Sequence, residues 1–347
     1  MSKFNYVCGF INMHAKDLLL TLLKIPSYSK EEKKMMDFIA DSVAKMGYEA
    51  KIEDEMNLVI DAGNEIYIAT HMDTIRREMP VRIEKNRIYG RGASDAKASI
   101  AAILLFLEKA RELNVSVAFL SDEEEDAKGS QAFVKKHHPK NAVIMEPTSL
   151  RVCNHQAGSI EAIFEIESDE IHGSFCGGAI DEAMEMLREL KAMKYWKKGK
   201  YFDSCLTVQE IKSINPYYLC PAKCEGRIEA RLFAEQKADE VAGEMKTIIE
   251  RYGRVDFREI WNGFETGEKE EIVQIAKRAC FDASISFSLD GMPSWTDAII
   301  FNNAAIKCII FGPGELKYAH TTKEFVNVKE IEKAAEFLLA LNKAIAN

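Results

Sequence analysis

Four short apolar runs in this chain break off at residues that bind cations or carry protons. "YIAT" at 67–70 ends on His71, with Asp73 two places on; "VSVAFL" runs into "SDEEED"; "NAVIM" runs into Glu146 and a proline; "IKCIIF" runs into Gly-Pro-Gly, with His320 shortly after. Runs this short, bounded by turn residues, read as buried strands. Helical segments such as the small and apolar residues 97–113 lie between them. Strand-to-helix alternation implies an α/β sheet flanked by helices. Ligands gather beyond the carboxyl ends of the strands in such sheets, and His71, Glu123 and Glu146 fall there.

The rest of the chain fits around that sheet. A first helix is expected near Leu18–Leu23, and a second opens at "SYSKEEKK", where Ser29 and Glu32 have the spacing of a capping box. Strands follow at 50–60 and 66–70. From 158 to 262 the rhythm changes to strand, helix, strand, strand, helix, strand. This β-α-β-β-α-β order reads as a ferredoxin-like unit inserted into the first domain. The expected division is 1–157 and 263–347 for the catalytic domain, with 158–262 as the inserted lid and dimerisation domain. A chain of 347 residues, 47% of them hydrophobic, can bury the cores that two domains need.

Charge and cysteine usage narrow the partners. A net charge of −9 argues against a nucleic-acid partner, because no global cation excess offsets the phosphates. Eight cysteines scattered over this length suit reduced thiols in the cytoplasm better than a disulfide framework. Cys220 and Cys224 lack a second pair at finger spacing, which favours packing over metal binding. The amino terminus carries neither a cleavage signal nor an apolar span of about 20 residues, so no membrane partner is expected. Met13 is an alternative start, with residues 1–12 a peripheral extension.

His71 with Asp73, Asp95 in "GRGASDAK", Glu123 and Glu124, Glu146 and His320 together make a list of metal ligands. Imidazoles and carboxylates without thiolate suit zinc, cobalt or manganese in a hydrolytic site, and two metals can share a carboxylate. Singly, a strand-end histidine is usually structural and "DEEED" a solvated acidic loop; their coincidence reverses that reading. The motifs H-x-D, G-R-G-x-x-D-x-K, D-E-E with a later glycine, Glu-Pro after a strand, and G-P-G with a later A-H resemble the zinc-dependent deacylase and peptidase family. Acetylornithine deacetylase, succinyl-diaminopimelate desuccinylase and glutamate carboxypeptidase belong to that family. The resemblance runs from about residue 17 to the end.

That resemblance implies a catalytic domain built on a mixed sheet flanked by helices and two divalent metal ions, zinc or cobalt. His71, Asp95 and Glu146 would hold one ion and Asp95, Glu124 and His320 the other, with Asp95 bridging and a cis peptide after it. Asp73 would orient His71, and Glu123 would be the general base. Glu125 offers another register for that pair; 123 and 124 leave four residues before Gly129, as in several relatives. In "EIHGSFCGGAIDEA", His172 would reach the partner's active site in a homodimer formed through the inserted domain. Pro is missing from this segment and Asp181 stands where Asn is common. Asn215 and Arg231 lie where relatives bind substrate carboxylates, although Arg231 also fits a surface position on an alternating strand. Thr296 and Asp297 in "SWTDAIIF" resemble a further wall of the site.

The short separation of His71 from Asp95 and the segment "FGPGELKYAHTTKEFV" resemble the lysine-biosynthesis branch, which releases lysine or ornithine from an N-acyl group or from the γ-glutamyl end of a small acidic carrier protein. The implied function is hydrolysis of the amide of such an N-acyl amino acid in lysine or arginine biosynthesis. Succinyl-diaminopimelate desuccinylase and a dipeptidase or carboxypeptidase with the same dinuclear site are the alternatives. "KAMKYWKKGKY" reads either as a docking patch for an acidic carrier or as a helix end with cations at its carboxyl terminus.

Overall fold

The computed structural model describes residues 14–54, 56–214 and 217–345; the extension before Met13 and the substrate-binding assignment of Asn215 lie outside the described residues. The chain forms two compact units. One holds the residues up to Asn154, Thr266–Leu289 and those from Thr296 on; the other holds His155–Glu265 and Asp290–Trp295.

The first unit is built on a mixed sheet. Its centre is four parallel strands in the order Ser116–Leu120, Ile66–His71, Asn141–Ile144, Lys307–Ile310. Antiparallel strands flank them, with Asn57–Ile60 beside Ser116–Leu120 and Val152–Gln156 meeting Lys307–Ile310. The strand expected over 50–60 is a hairpin, Lys51–Glu53 paired with Asn57–Ile60, because Asp54 takes a left-handed φ of 52° and reverses the chain.

Side chains alternate across this sheet. Ile68, Val117, Phe119, Val143 and Ile309 join one core with the helices Ala15–Leu23, Lys97–Lys109, Glu271–Asp282 and Val328–Ile345. From the helices Lys128–Lys136 and Ala298–Asn303, Phe133 and Phe301 stack at 5.2 Å, and the Tyr67 ring also stands 5.2 Å from Phe133. Each fully buried Ile or Phe contributes about 1.5–3 kcal/mol. Four parallel strands held between packed helices give the site a rigid base. A small antiparallel sheet, Phe325–Asn327, Arg87–Tyr89 and Arg82–Glu84, ties the segment before Asp95 to the one after His320.

The capping box expected at Ser29–Glu32 is absent. The helix runs Lys33–Lys45 with no side-chain cap: Ser29 Oγ donates to Asp73 across the fold, and Glu32 accepts locally from Lys30 N–H and across the fold from Asp122 N–H. The local cap lost to partners made available only by folding.

The second unit has the antiparallel order Cys205–Lys212, Lys223–Leu232, Gly158–Glu167, Arg254–Trp261, with the helices Ala179–Lys191 and Ala238–Ile249 contributing to one core. Ile160, Ala162, Phe164 and Ile166 alternate into that core. The chain order is the β-α-β-β-α-β pattern read from sequence. Asp290–Trp295, which the sequence reading leaves with the catalytic domain, packs with this unit, where Ala157 N–H donates to Met292 O at 2.9 Å.

Candidate metal centre

Each parallel strand delivers part of one cluster. His71 is the last residue of its strand; Glu123 and Glu124 follow Ser116–Leu120; Glu146 follows Asn141–Ile144; Gly312–Gly314 follows Lys307–Ile310 and leads to His320. Asp95 enters from the turn before the helix Lys97–Lys109, and its bond to Ala96 is cis.

Three overlapping donor groups result: His71, Asp95 and Glu146; Asp95, Glu124 and His320; and His71, Glu123 and Glu124, each with ligand atoms within 4.8 Å of one another. His71 Nε2 stands 3.1 Å from Asp95 Oδ1 and 3.8 Å from Glu146 Oε1. His320 Nε2 stands 3.5 Å from Asp95 Oδ2 and 2.9 Å from the Glu124 carboxylate. Asp95 thus faces both imidazoles and is the member common to the first two groups.

Asp73 organises the base of the cluster. It is fully buried, and its Oδ1 lies 3.3 Å from His71 Nδ1. It accepts from Ser29 Oγ at 2.7 Å and from the backbone N–H groups of Glu123 and Glu124 at 3.1 Å each. One carboxylate therefore fixes both the His71 ring and the turn that carries the two glutamates. Gly129 closes the same turn, since a Cβ there would strike Ser121 backbone atoms and Asn57 Oδ1.

The electrostatics ask for cations. Burial pushes the Glu123 and Glu146 carboxyls well above the usual carboxylate range; His71 opposes this, while Glu146 raises Glu123 further and Asp95 raises Glu146. Burial works against a charged His71, yet Glu123, Glu146, Asp73 and Asp95 hold its pKa well above normal. His320 is raised to about 9 against burial, chiefly by Glu124. Glu146 Oε1 is buried without a hydrogen-bond partner among the described residues. Four carboxylates and two imidazoles converging around an orphaned oxygen fit two divalent cations, whose charge would offset the desolvation.

Other predicted residues fall elsewhere. His172 lies in the short strand Ile171–His172 of the second unit, where its Nδ1 accepts from Ser174 N–H at 3.2 Å. Arg231, on Lys223–Leu232, is ion-paired with Glu229 and keeps a buried Nη1 without a hydrogen-bond partner among the described residues. Thr296 and Asp297 are buried in the first unit, and Asp297 lies beside the cluster: it raises the Glu123 and Glu146 carboxyls, and burial lifts Asp297 itself to about 7. Sequence reasoning missed Glu324, a fully buried carboxylate whose Oε1 accepts from Asp95 N–H at 3.2 Å. It also gave no role to Arg91, although Arg91 belongs to the "GRG" motif.

Comparison with known proteins bears on the same residues. The model of peptidase family M20/M25/M40 matches residues 67–344. The [LysW]-lysine/[LysW]-ornithine hydrolase of Saccharolobus islandicus is 25% identical over 326 residues, covering 92% of this chain and 93% of that protein. Among solved structures, aminopeptidase PepT from Bacillus cereus superposes with a TM-score of 0.79 at 18% identity, over 98% of this chain and 100% of that one. YXEP of Bacillus subtilis, a dinuclear metal-binding peptidase, gives 0.69 at 13% identity over 96% and 97%. At these identities the two structures establish a shared fold.

Proposed function

We propose that this chain, which belongs to peptidase family M20/M25/M40, hydrolyses the amide that joins lysine or ornithine to an amino-group carrier protein, releasing the free amino acid in lysine or arginine biosynthesis. The observation that carries this reading is the complete donor set at the strand ends of a chain that aligns over 92% of its length with carrier-lysine and carrier-ornithine hydrolases.

His71, Asp95 and Glu146 would hold one cation, and Asp95, Glu124 and His320 the other, with zinc or cobalt the fitting ions. Divalent cations at such a set polarise the amide carbonyl and make water a better nucleophile at neutral pH. Glu123 takes the proton from the attacking water and returns it to the departing amine. Its buried setting, which favours the protonated carboxyl, suits the second half of that transfer. Asp73 keeps Nε2 of His71 turned toward Asp95 by engaging Nδ1.

Arg231 is the candidate for a substrate carboxylate, since its Nη1 is buried without a hydrogen-bond partner among the described residues, and Asn215 is assigned alongside it by the resemblance. His172 is assigned to the oxyanion across a homodimer formed by the second unit. Of the five lysines at 191–200, Lys194 pairs with Glu244 at 3.0 Å and Lys198 with Asp203 at 2.6 Å. Lys191 and Lys197 form no ion pair among the described residues, which leaves them for an acidic carrier. A cytoplasmic setting follows from this biosynthetic role.

Amine release by the metal-reconstituted protein tests the assignment on carrier-linked lysine, γ-glutamyl-lysine, N-acetyl-lysine, N-acetyl-ornithine, succinyl-diaminopimelate and two dipeptides. Preference for the carrier-linked or γ-glutamyl substrates supports it. Preference for dipeptides keeps the metal centre and overturns the biosynthetic role. Changing Lys191 and Lys197 to Glu is expected to raise KM for the carrier-linked substrate and not for the small mimic; equal effects on both refute the docking patch.

A further inference from the structure

Two buried charges beside the metal centre touch none of its donor atoms. Arg91 and Glu324 have side chains 7% and 0% exposed and are paired through Nη1 and Oε2. Glu324 Oε1 accepts from Ser94 N–H at 3.0 Å and Asp95 N–H at 3.2 Å, so it fixes the backbone that carries the shared carboxylate. The other two nitrogens of Arg91 are also engaged: Nε donates to Arg77 O at 2.9 Å, and Nη2 to His320 O at 3.2 Å and Thr321 O at 3.3 Å. Arg77 Nη1 adds a second bond to His320 O at 3.2 Å.

His320 needs such restraint. Its φ is +62°, a left-handed conformation that a non-glycine residue keeps only where its surroundings determine it. The arginine fork is preorganised to hold several acceptors at once. A buried ion pair is weak evidence for net stability, because desolvation offsets the attraction; its use here is geometric.

We propose that the Arg91–Glu324 pair is a positioning device for one of the two cation sites, clamping the His320 loop to the Asp95 turn so that Asp95, Glu124 and His320 converge. His71 and Glu146 stand at or next to the ends of paired strands and do not depend on it. Loss of the pair therefore loosens most the site that includes His320, where the restraints on both Asp95 and the His320 loop are lost, and less the site made with His71 and Glu146, where only Asp95 is affected.

The test uses the full chain, Co2+ as probe, and the variants Glu324→Gln and Arg91→Lys. Glu324→Gln keeps an acceptor for the two N–H groups and removes the charge; Arg91→Lys keeps the charge and removes the fork. Calorimetric titration gives stoichiometry and affinity, visible absorption of bound Co2+ reports the coordination, and circular dichroism and melting of the metal-free protein report the fold. The expected result is a native fold, one equivalent weakened by less than about tenfold, and a second weakened by about 10- to 100-fold with an altered cobalt spectrum.

Two equivalents at wild-type affinity and spectrum in both variants overturn the proposal. So does equal weakening of both sites, or a wild-type protein that takes up fewer than two equivalents. If Glu324→Gln does not fold, Arg91→Lys decides by the same criteria. Failure of both to fold makes the pair a structural element and overturns the positioning role.

Discussion

Replacing Asp73 with Asn asks how much one buried carboxylate does for this centre, and the structure sets the size of the answer. Oδ2 accepts from Ser29 Oγ and Glu124 N–H; Oδ1 accepts from Glu123 N–H and faces His71 Nδ1. An amide in the same place has one oxygen. With its NH2 at the Oδ2 position, Ser29 can rotate to accept, but Glu124 N–H is left against a donor. With its NH2 at the Oδ1 position, Glu123 N–H is left instead, and a bond to Nδ1 drives the His71 proton onto Nε2, the nitrogen that faces Asp95. Either orientation costs one charge-assisted hydrogen bond in a buried site, about 1.5–3 kcal/mol. Loss of the carboxylate behind His71 should weaken cation binding by about 10- to 100-fold. Urea unfolding of the metal-free variant should show a lower midpoint at unchanged m-value, and competition with a chromophoric chelator should show the weaker binding. Ser29→Ala, which removes only the hydroxyl donor, should cost about 1 kcal/mol and leave affinity nearly intact. A wild-type midpoint together with wild-type affinity in Asp73→Asn would refute the account of Asp73 as the organiser of the cluster.

Glu123→Gln should lower amine release by about 10²- to 10⁴-fold while cation uptake stays at wild-type level; a matching loss of uptake would make Glu123 a ligand, as its grouping with His71 and Glu124 also permits. Gly129→Ala should destabilise the first unit by about 1–3 kcal/mol, because the added Cβ meets Ser121 backbone that cannot move without shifting the Asp122–Glu124 turn; an unchanged urea midpoint would show that the turn is pliant. Chelation followed by readdition of Zn2+ or Co2+ should lower and then restore the melting temperature. Each site should be worth about 2.7 kcal/mol when the free ion is a hundredfold above its dissociation constant, and a melting curve indifferent to both ions would argue against binding at the cluster.

The parts of the site legible in sequence share one property: residue type and local position specify them together. A histidine or acid at the end of an apolar run is marked by the run itself, and parallel strands bring such ends to one edge, so His71, Glu123, Glu124 and Glu146 converge as their local settings imply. Asp95 and His320 lie in loops, and the family motifs around them, rather than periodicity, singled them out. Ser29 and Glu32 show a local rule failing: a well-spaced capping box lost to Asp73 and Asp122, partners distant in sequence that offer each side chain a buried role. Glu324 shows the limit more sharply. Beside Lys323, before a short strand, it has the sequence character of an exposed charge, and only pairing across 233 positions with Arg91 takes it fully out of water. Ligands that touch a cation must be particular residue types, which leaves a mark in the sequence. Residues that hold those ligands need only supply a complementary charge or hydrogen bond from wherever the fold brings one, and that freedom makes the supporting shell of this centre visible in three dimensions and nearly silent in one.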